Sequence, residues 1–124
     1  MSTNGSKLGV RERGRLLVLG TAEADPASVV GELPGAAELL TENRGGADVV
    51  LLFAADVAEV HADAEVAWSS VADGGRLWIA YRKGAGPAAL NRDTLQAALA
   101  DHGLVGVTLV SLDGTWSAMR VRPL

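Results

Sequence analysis

Residues 48–81, with the sequence DVVLLFAADVAEVHADAEVAWSSVADGGRLWIAY, hold two apolar runs separated by an amphipathic segment. The runs at 48–53 and 77–81 are short and almost continuously apolar, a pattern typical of strands buried on both faces of a parallel sheet. A strand, a helix and a second strand in this order form the repeating unit of α/β folds. This stretch therefore predicts the centre of an α/β sheet.

The segment between the two runs has the spacing of a helix with one buried face. Its apolar residues recur three and four positions apart, with acidic residues elsewhere on the helical wheel, and they are Val57, Val60, Ala64, Trp68 and Val71. Residues 73–75, Asp-Gly-Gly, are expected to end this helix and turn the chain into the next strand.

Further strands and a second helix extend this pattern in both directions along the chain. Residues 15–19 predict a buried strand ending at Gly20, and residues 36–41 predict a weaker strand. Asn91 is a capping residue for a helix that ends near Gly103. Strands at 105–112 and 115–121 flank Asp113-Gly114, which predicts a two-residue hairpin turn.

The predicted fold is a small three-layer, Rossmann-like α/β sheet of five or six strands. It is mostly parallel and ends in an antiparallel hairpin, as class I methyltransferase folds do.

The size and composition of the chain indicate one soluble domain. With 124 residues, 48% of them hydrophobic and 21% charged, the chain fits a single globular unit. We expect residues 1–6 to be a disordered N-terminal tail and residues 7–124 to be one α/β domain. The absence of cysteine excludes disulfides and thiolate chemistry. No secretory signal and no membrane-spanning run is found, so we expect a cytoplasmic protein without a membrane partner.

Charge is distributed unevenly along the sequence. Residues 1–21 carry four basic residues and one acid, residues 22–73 carry eleven acids and one arginine, and residues 74–124 carry six basic residues and three acids. Phosphate backbones are bound by clustered lysine and arginine, so the acidic middle argues against a broad nucleic-acid interface. A solvated acidic surface explains this distribution, and a dipolar surface that steers a charged partner is the alternative.

Four stretches are similar to a bacterial family catalogued as domain of unknown function 3052. They are KLGV (7–10), GRLWIAYRKG (75–84), LNRD (90–93) and TWSAMRVRP (115–123). The corresponding family segments read KLGIK, GLLWIAYPK, DLNRD and DDTWSALRFRP. Arg82 stands where the family usually has proline, and Leu112-Asp113-Gly114 replaces an expected acidic pair. The resemblance implies a reduced class I methyltransferase-like fold and no particular activity.

The turn after the first strand is the first candidate site, for a nucleoside cofactor. In folds of this class, a glycine-rich turn lets the backbone approach the ligand, and an acid after the second strand binds the ribose. Gly20 and Glu42 occupy these two positions, but the turn has one glycine and the acids Glu23 and Asp25. These acids disfavour a pyrophosphate, whereas S-adenosylmethionine is less anionic. A plain turn with a surface acid is the alternative, and no bound cofactor is predicted.

The second candidate site is a basic rim formed by Arg82, Lys83 and Arg92. Arg82 and Lys83 follow the 77–81 strand, and Arg92 opens the next helix, so all three are expected beyond the carboxyl ends of the strands. They could bind a small anion or an acidic partner segment through bidentate contacts. The alternative is a solvated loop whose charges pair locally.

Other catalytic groups find little support in the sequence. His61 and His102 have no metal-ligand spacing, and no serine lies in a nucleophile-elbow context, so neither a metal nor a catalytic residue is predicted. Trp68, Trp78 and Trp116 are expected in the core.

The sequence favours a non-catalytic module, on a degenerate methyltransferase-like scaffold, that binds an unidentified protein or self-associates through the hairpin edge. A reduced S-adenosylmethionine-dependent methyltransferase and a small-anion or nucleotide-binding protein are the alternatives.

Overall fold

The computed structural model describes residues 8–11, 13–20, 30, 33, 35, 37–41, 45–84 and 89–124. The predicted tail at 1–6 lies outside these residues. The described part of the chain contains six strands and two helices. In order they are β1 (Arg15–Leu19), β2 (Glu38–Leu40), β3 (Ala47–Phe53), α1 (Val57–Ser69), β4 (Val71–Arg82), α2 (Arg92–Ala100), β5 (Leu104–Ser111) and β6 (Trp116–Pro123).

All six strands form one sheet in the order β2-β1-β3-β4-β6-β5. The first four are parallel, whereas β6 runs antiparallel to both β4 and β5. The last strand of the chain therefore lies inside the sheet, between its two predecessors. This confirms the predicted methyltransferase-like α/β architecture, with the hairpin inserted at one side of the parallel part.

Two apolar clusters cover the two faces of the sheet. On one face, Leu52 and Ile79 pack with Val60 of α1 and Leu95 of α2. On the other, Leu51 and Trp78 pack with the segment around Leu8. Alternate residues of β3 and β4 thus enter opposite clusters, which explains why both strands read as continuous apolar runs. The indole nitrogen of Trp78 also donates a 2.8 Å hydrogen bond to the Leu8 carbonyl, fastening the N-terminal segment to the sheet.

Helix α1 ends earlier than the sequence predicts. The Ser70 backbone N–H donates to the carbonyls of Val66 and Ala67, and the Ser70 hydroxyl also donates to Val66, so the last helical turn closes there. Val71 already pairs with Ala47 in the sheet. The predicted helix stop at residues 73–75 is therefore wrong, because these residues belong to β4. A register shift against β3 leaves Asp73 and Gly74 exposed at the start of that strand.

The β5–β6 connection is longer than the predicted two-residue turn. It spans residues 112–115, and the Asp113 carboxylate accepts hydrogen bonds of 2.7 Å from the backbone N–H groups of Thr115 and Trp116. An aspartate side chain that accepts hydrogen bonds from backbone N–H groups two or three residues ahead can stabilise a turn longer than two residues. This side-chain bond explains the wider loop.

The tryptophans occupy the positions expected from the sequence, with one difference. Trp78 and Trp116 are only 2% and 5% exposed, which places both in the core. Trp68 is half-buried and packs against the cluster on the helical face. Among the described residues, neither helix is long and apolar enough to span a bilayer.

Candidate functional site

The carboxyl ends of β1 and β3 lie at the switch point of the sheet, where successive connections leave β1 in opposite directions. From β1 the chain crosses to β2 on one side and then to β3 on the other, so β1 is paired with both. Open α/β sheets bind ligands in the crevice outside the carboxyl ends of the strands at such a switch point. The candidate cofactor residue Gly20 follows β1 directly at this edge.

Gly20 is required by its conformation and by its closeness to the neighbouring strand. Its φ is +101°, a region that L side chains rarely adopt. A Cβ atom at this position would lie 2.0 Å from the carbonyl oxygen of Phe53, at the end of β3. The chain therefore leaves β1 pressed against the backbone of β3, and its outer side at Gly20 stays exposed. Glu42, the other predicted cofactor residue, lies outside the described residues, two positions after the end of β2.

The turn from β3 into α1 presents carboxylates at the same edge. The Asp56 side chain caps α1 by accepting a 2.9 Å hydrogen bond from the Glu59 backbone N–H. The Glu59 carboxylate in turn accepts from the Ala55 backbone N–H. The protein's own carboxylates therefore satisfy the positive N-terminus of α1, which would otherwise attract an anion.

The three residues of the predicted basic rim each have an intramolecular contact. The Arg82 guanidinium lies 5.4 Å above the ring of Trp116. The Lys83 ammonium donates to the Ser111 hydroxyl and, at 2.6 Å, to the Asp113 carbonyl, so it holds the tip of the β5–β6 hairpin. Arg92 forms an exposed 3.7 Å ion pair with its neighbour Asp93.

Tyr81 lies between this rim and the core. Burial raises the pKa of the Tyr81 phenol above 10.0; the positive charge of Arg92 acts in the opposite direction and the negative charge of Asp93 raises it further. The phenol stays neutral at physiological pH and can serve as a hydrogen-bond donor at this edge.

Two aromatic side chains pack against each other at the carboxyl edge, on the side that faces the core. The rings of Phe53 and Trp116 meet edge to face with their centroids 5.0 Å apart. Both rings are buried, and with the Arg82 guanidinium above Trp116 they form a layered contact at the ends of β3 and β4. The ends of β3 and β4 therefore have a buried, apolar base.

The structure joins the two histidines, a contact that sequence spacing did not reveal. His61 Nδ1 lies 2.9 Å from His102 Nε2, and His102 Nδ1 lies 2.8 Å from a Glu65 carboxylate oxygen. On the other side, Asp101 lies 3.9 Å from His61 Nε2. The two rings come together because α1 and α2 pack side by side. Within the described part of the chain, no group of three or more histidine and acidic side chains is arranged to hold a metal ion.

Comparison with known proteins places the fold among methyltransferases. A fibrillarin from Aeropyrum pernix, solved with natively bound S-adenosyl-L-methionine, is 17% identical with a TM-score of 0.57, covering 93% of this chain and 69% of the fibrillarin. An S-adenosylmethionine-dependent methyltransferase from Aquifex aeolicus is 10% identical with a TM-score of 0.56, covering 94% and 85%. A ribosomal protein methylase from Lactobacillus delbrueckii subsp. bulgaricus is 13% identical with a TM-score of 0.56, covering 97% and 74%.

No protein-family model and no curated protein matches the chain. At identities below 20%, the structural likeness shows the fold: a class I methyltransferase-like, Rossmann-like sheet.

Proposed function

We propose that this protein is a reduced methyltransferase-type domain that binds S-adenosylmethionine at the carboxyl edge of β1 and β3. The similar solved structures are methyltransferases, and one of them holds this compound. They support this function better than the non-catalytic module that the sequence favours. The four stretches similar to the bacterial family catalogued as domain of unknown function 3052 support membership in that family. The lack of cysteine is consistent with a cytoplasmic location.

The observation that carries the proposal is the switch point between β1 and β3 with Gly20 beside it. The strand order places the crevice of this fold class at the end of β1. There, the positive φ of Gly20 and its contact with the Phe53 carbonyl leave no side chain between the backbone and a ligand. A nucleoside could therefore approach the main chain closely even though the turn has a single glycine.

The charge of this edge favours S-adenosylmethionine over a dinucleotide. The compound carries a sulfonium and an ammonium group against one carboxylate, so its net charge is positive. Asp56 and Glu59 lie at the edge, and Glu23, Asp25 and Glu42 follow β1 and β2 in sequence. Carboxylates attract the cationic centre and repel a pyrophosphate. Glu42 has the position of an acid that binds the ribose hydroxyls.

The chain's own residues would orient the ligand rather than react with it. Bound S-adenosylmethionine would supply a methyl group that a nucleophile attacks at carbon, with the positively charged sulfur leaving as a neutral thioether. Phe53 and Trp116 form the dry base of the edge, and the neutral Tyr81 phenol offers a hydrogen-bond donor at the end of β4. Positioning and water exclusion are the contributions that such a displacement needs from the protein.

Isothermal titration calorimetry of the full chain with S-adenosylmethionine tests the proposal. We expect a dissociation constant tighter than about 100 μM, or about −5.5 kcal/mol. NAD, which carries a pyrophosphate, should give no heat under the same conditions. Glu42→Gln should weaken binding about tenfold, because one charged hydrogen bond is lost. Glu38→Gln removes the same charge from the opposite end of β2 and should leave the affinity unchanged.

Failure of S-adenosylmethionine to bind at 1 mM, with the circular dichroism spectrum of a folded protein, would overturn the proposal and favour the assembly module. One feature supports that second candidate. Strand β5 lies at the edge of the sheet, its eight residues carry no charge, and Val107 and Leu109 are 42% and 45% exposed. Such an edge can pair with a second copy of the chain. Light scattering at two concentrations would then detect the dimer.

A further inference from the structure

A concave surface lies at the amino ends of the strands, opposite the carboxyl edge. It is a groove of about 600 Å³ lined by residues 9–11, 13–14, 48–49 and 73–76. These residues come from the segment before β1 and from the starts of β3 and of its neighbour β4. We name it the amino-edge groove. Its volume is in the range of sites that bind small organic ligands.

Three arginines line the amino-edge groove: Arg11, Arg13 and Arg76. Within the described part of the chain, none of their guanidinium groups forms an ion pair with a carboxylate. By contrast, the basic residues at the opposite edge each have a side-chain or backbone contact. Guanidinium groups that converge on a groove without internal partners are suited to bidentate contacts with phosphate or carboxylate.

The backbone of Arg13 has an unfavourable conformation that places this residue at the groove. Its φ is 62°, the single positive φ of a non-glycine residue among those described. The turn is closed by a 2.9 Å hydrogen bond from the Gly14 N–H to the Arg11 carbonyl. Glycine would occupy position 13 without strain, so the fold tolerates a cost to hold an arginine here. Strained residues of this kind are concentrated at ligand-binding sites.

Arg76 is held in place by the segment opposite it. A Cβ atom on Gly9 would lie 3.2 Å from the Arg76 Cδ and 2.8 Å from its Nη1, so the arginine side chain lies directly against the Gly9 backbone. The hydrogen bond from Trp78 to the Leu8 carbonyl fixes that backbone to the sheet. A guanidinium with a restricted stem loses less conformational entropy when it binds a ligand.

Two aspartates distinguish this groove from a simple anion site. Asp48 Oδ2 accepts a 2.8 Å hydrogen bond from the Arg15 N–H, and no partner for Asp48 Oδ1 is found among the described residues. Asp73 is exposed where β4 bulges away from β3. Carboxylates accept hydrogen bonds from hydroxyl groups but repel additional phosphates. A nucleic acid, with its continuous phosphate backbone, is therefore disfavoured, as is expected from the net charge of −4.

We propose that the amino-edge groove binds a small phosphate ester that also carries hydroxyl groups, such as a sugar phosphate. Arg11, Arg13 and Arg76 contact the phosphate, and Asp48 and Asp73 accept hydrogen bonds from the hydroxyl groups. The groove shares no residue with the carboxyl edge, so this inference does not depend on the proposed function.

Titration of the isotopically labelled full chain with ribose 5-phosphate, followed by amide chemical shifts, tests the proposal. We expect saturable shifts at residues 9–14 and 73–76 and none at 82–84. Inorganic phosphate should bind at the same residues about tenfold more weakly, because it offers no sugar hydroxyls to the aspartates. No shift at 10 mM ribose 5-phosphate, or equal affinity for the two compounds, would overturn the proposal.

Variants separate a binding role from a structural one. Arg13→Gly should weaken binding about tenfold, equivalent to 1.4 kcal/mol, while raising the melting temperature because the strain is relieved. Arg76→Met should weaken binding to a similar extent. Arg92→Met removes the same charge at the start of α2, at the opposite end of the sheet, and should leave the affinity unchanged. If Arg92→Met weakens binding equally, or Arg13→Gly does not weaken it, the groove is not the site.

Discussion

Replacement of Gly20 by alanine tests the closest backbone contact at the carboxyl edge. Two features of the structure oppose any side chain at this position. The φ of Gly20 is +101°, and a Cβ atom would be placed 2.0 Å from the Phe53 carbonyl oxygen. The atom that it would meet belongs to the backbone of a central strand, so it cannot rotate away.

The expected loss of stability follows from these two features. The left-handed region costs an L residue about 1–2 kcal/mol. Separating β1 from β3 to relieve the overlap resembles overpacking of a core, which typically costs about 1–3 kcal/mol. We therefore expect Gly20→Ala to lower the free energy of unfolding by about 2–5 kcal/mol. Small domains have about 5–15 kcal/mol in total, so the variant should fold with much reduced stability.

Urea denaturation followed by tryptophan fluorescence measures this loss, and Gly74→Ala is the matched control. Gly74 has a φ of +79°, but a Cβ atom there would have nothing within 4 Å. Gly74→Ala should therefore cost only the conformational part, about 1–2 kcal/mol. The difference between the variants isolates the contact with Phe53. A difference smaller than about 0.5 kcal/mol, with unchanged m values, would refute the argument that this contact requires glycine at position 20.

Three further predictions concern contacts away from Gly20. Tyr81 is the one tyrosine of the chain, so absorbance at 295 nm should follow its ionisation alone; burial raises its pKa, and the midpoint should lie above 10.0 in the folded protein. Stability should accordingly decline as pH rises from about 10 towards the folded-state pKa, and Tyr81→Phe should remove that part of the decline. Gln96→Ala should cost about 1–2 kcal/mol in urea denaturation, because the side-chain amide donates to the Gly106 carbonyl and accepts from its N–H, both at 2.9 Å. A double-mutant cycle with alanine at His61 and His102 should show a coupling of about 0.5–1 kcal/mol, and a coupling of zero would contradict the 2.9 Å contact.

The two proposed sites differ in the charges that they offer a ligand. At the carboxyl edge, the carboxylates of Asp56 and Glu59 lie at the start of α1, where the proposed ligand is cationic. At the amino edge, Arg11, Arg13 and Arg76 line the groove, where the proposed ligand is a phosphate ester. Each ligand is thus proposed beside charges of the opposite sign.

Much of the fold follows from local patterns. The runs in β3 and β4 are apolar at every position because both faces of these strands are covered, and this pattern alone indicates a central parallel sheet. The stripe of α1 and the capping residue of α2 are likewise local features, and both helices begin where the sequence places them. The end of α1 was predicted too late because β4 begins at Val71, which pairs with Ala47 of β3, a contact absent from any local window.

The candidate sites, too, were predicted from the sequence only in part, and the rest required the structure. Residue type and position identified Gly20, since a lone glycine after a buried strand is visible in the sequence. Its 2.0 Å approach to Phe53 was not visible, because 33 residues separate the two along the chain. The same holds for the histidine pair, whose members are 41 residues apart and meet only because two helices pack together.

The sequence by itself determined which segments become buried strands and helices, since hydrophobic periodicity and capping act over a few residues. Only the tertiary structure decided that the last strand lies inside the sheet, and that Arg11, Arg13 and Arg76 converge on one groove. The physical reason is that burial preferences are properties of single residues. Strand order and the meeting of charges are set by contacts between segments, and each such contact depends on the packing of all the others.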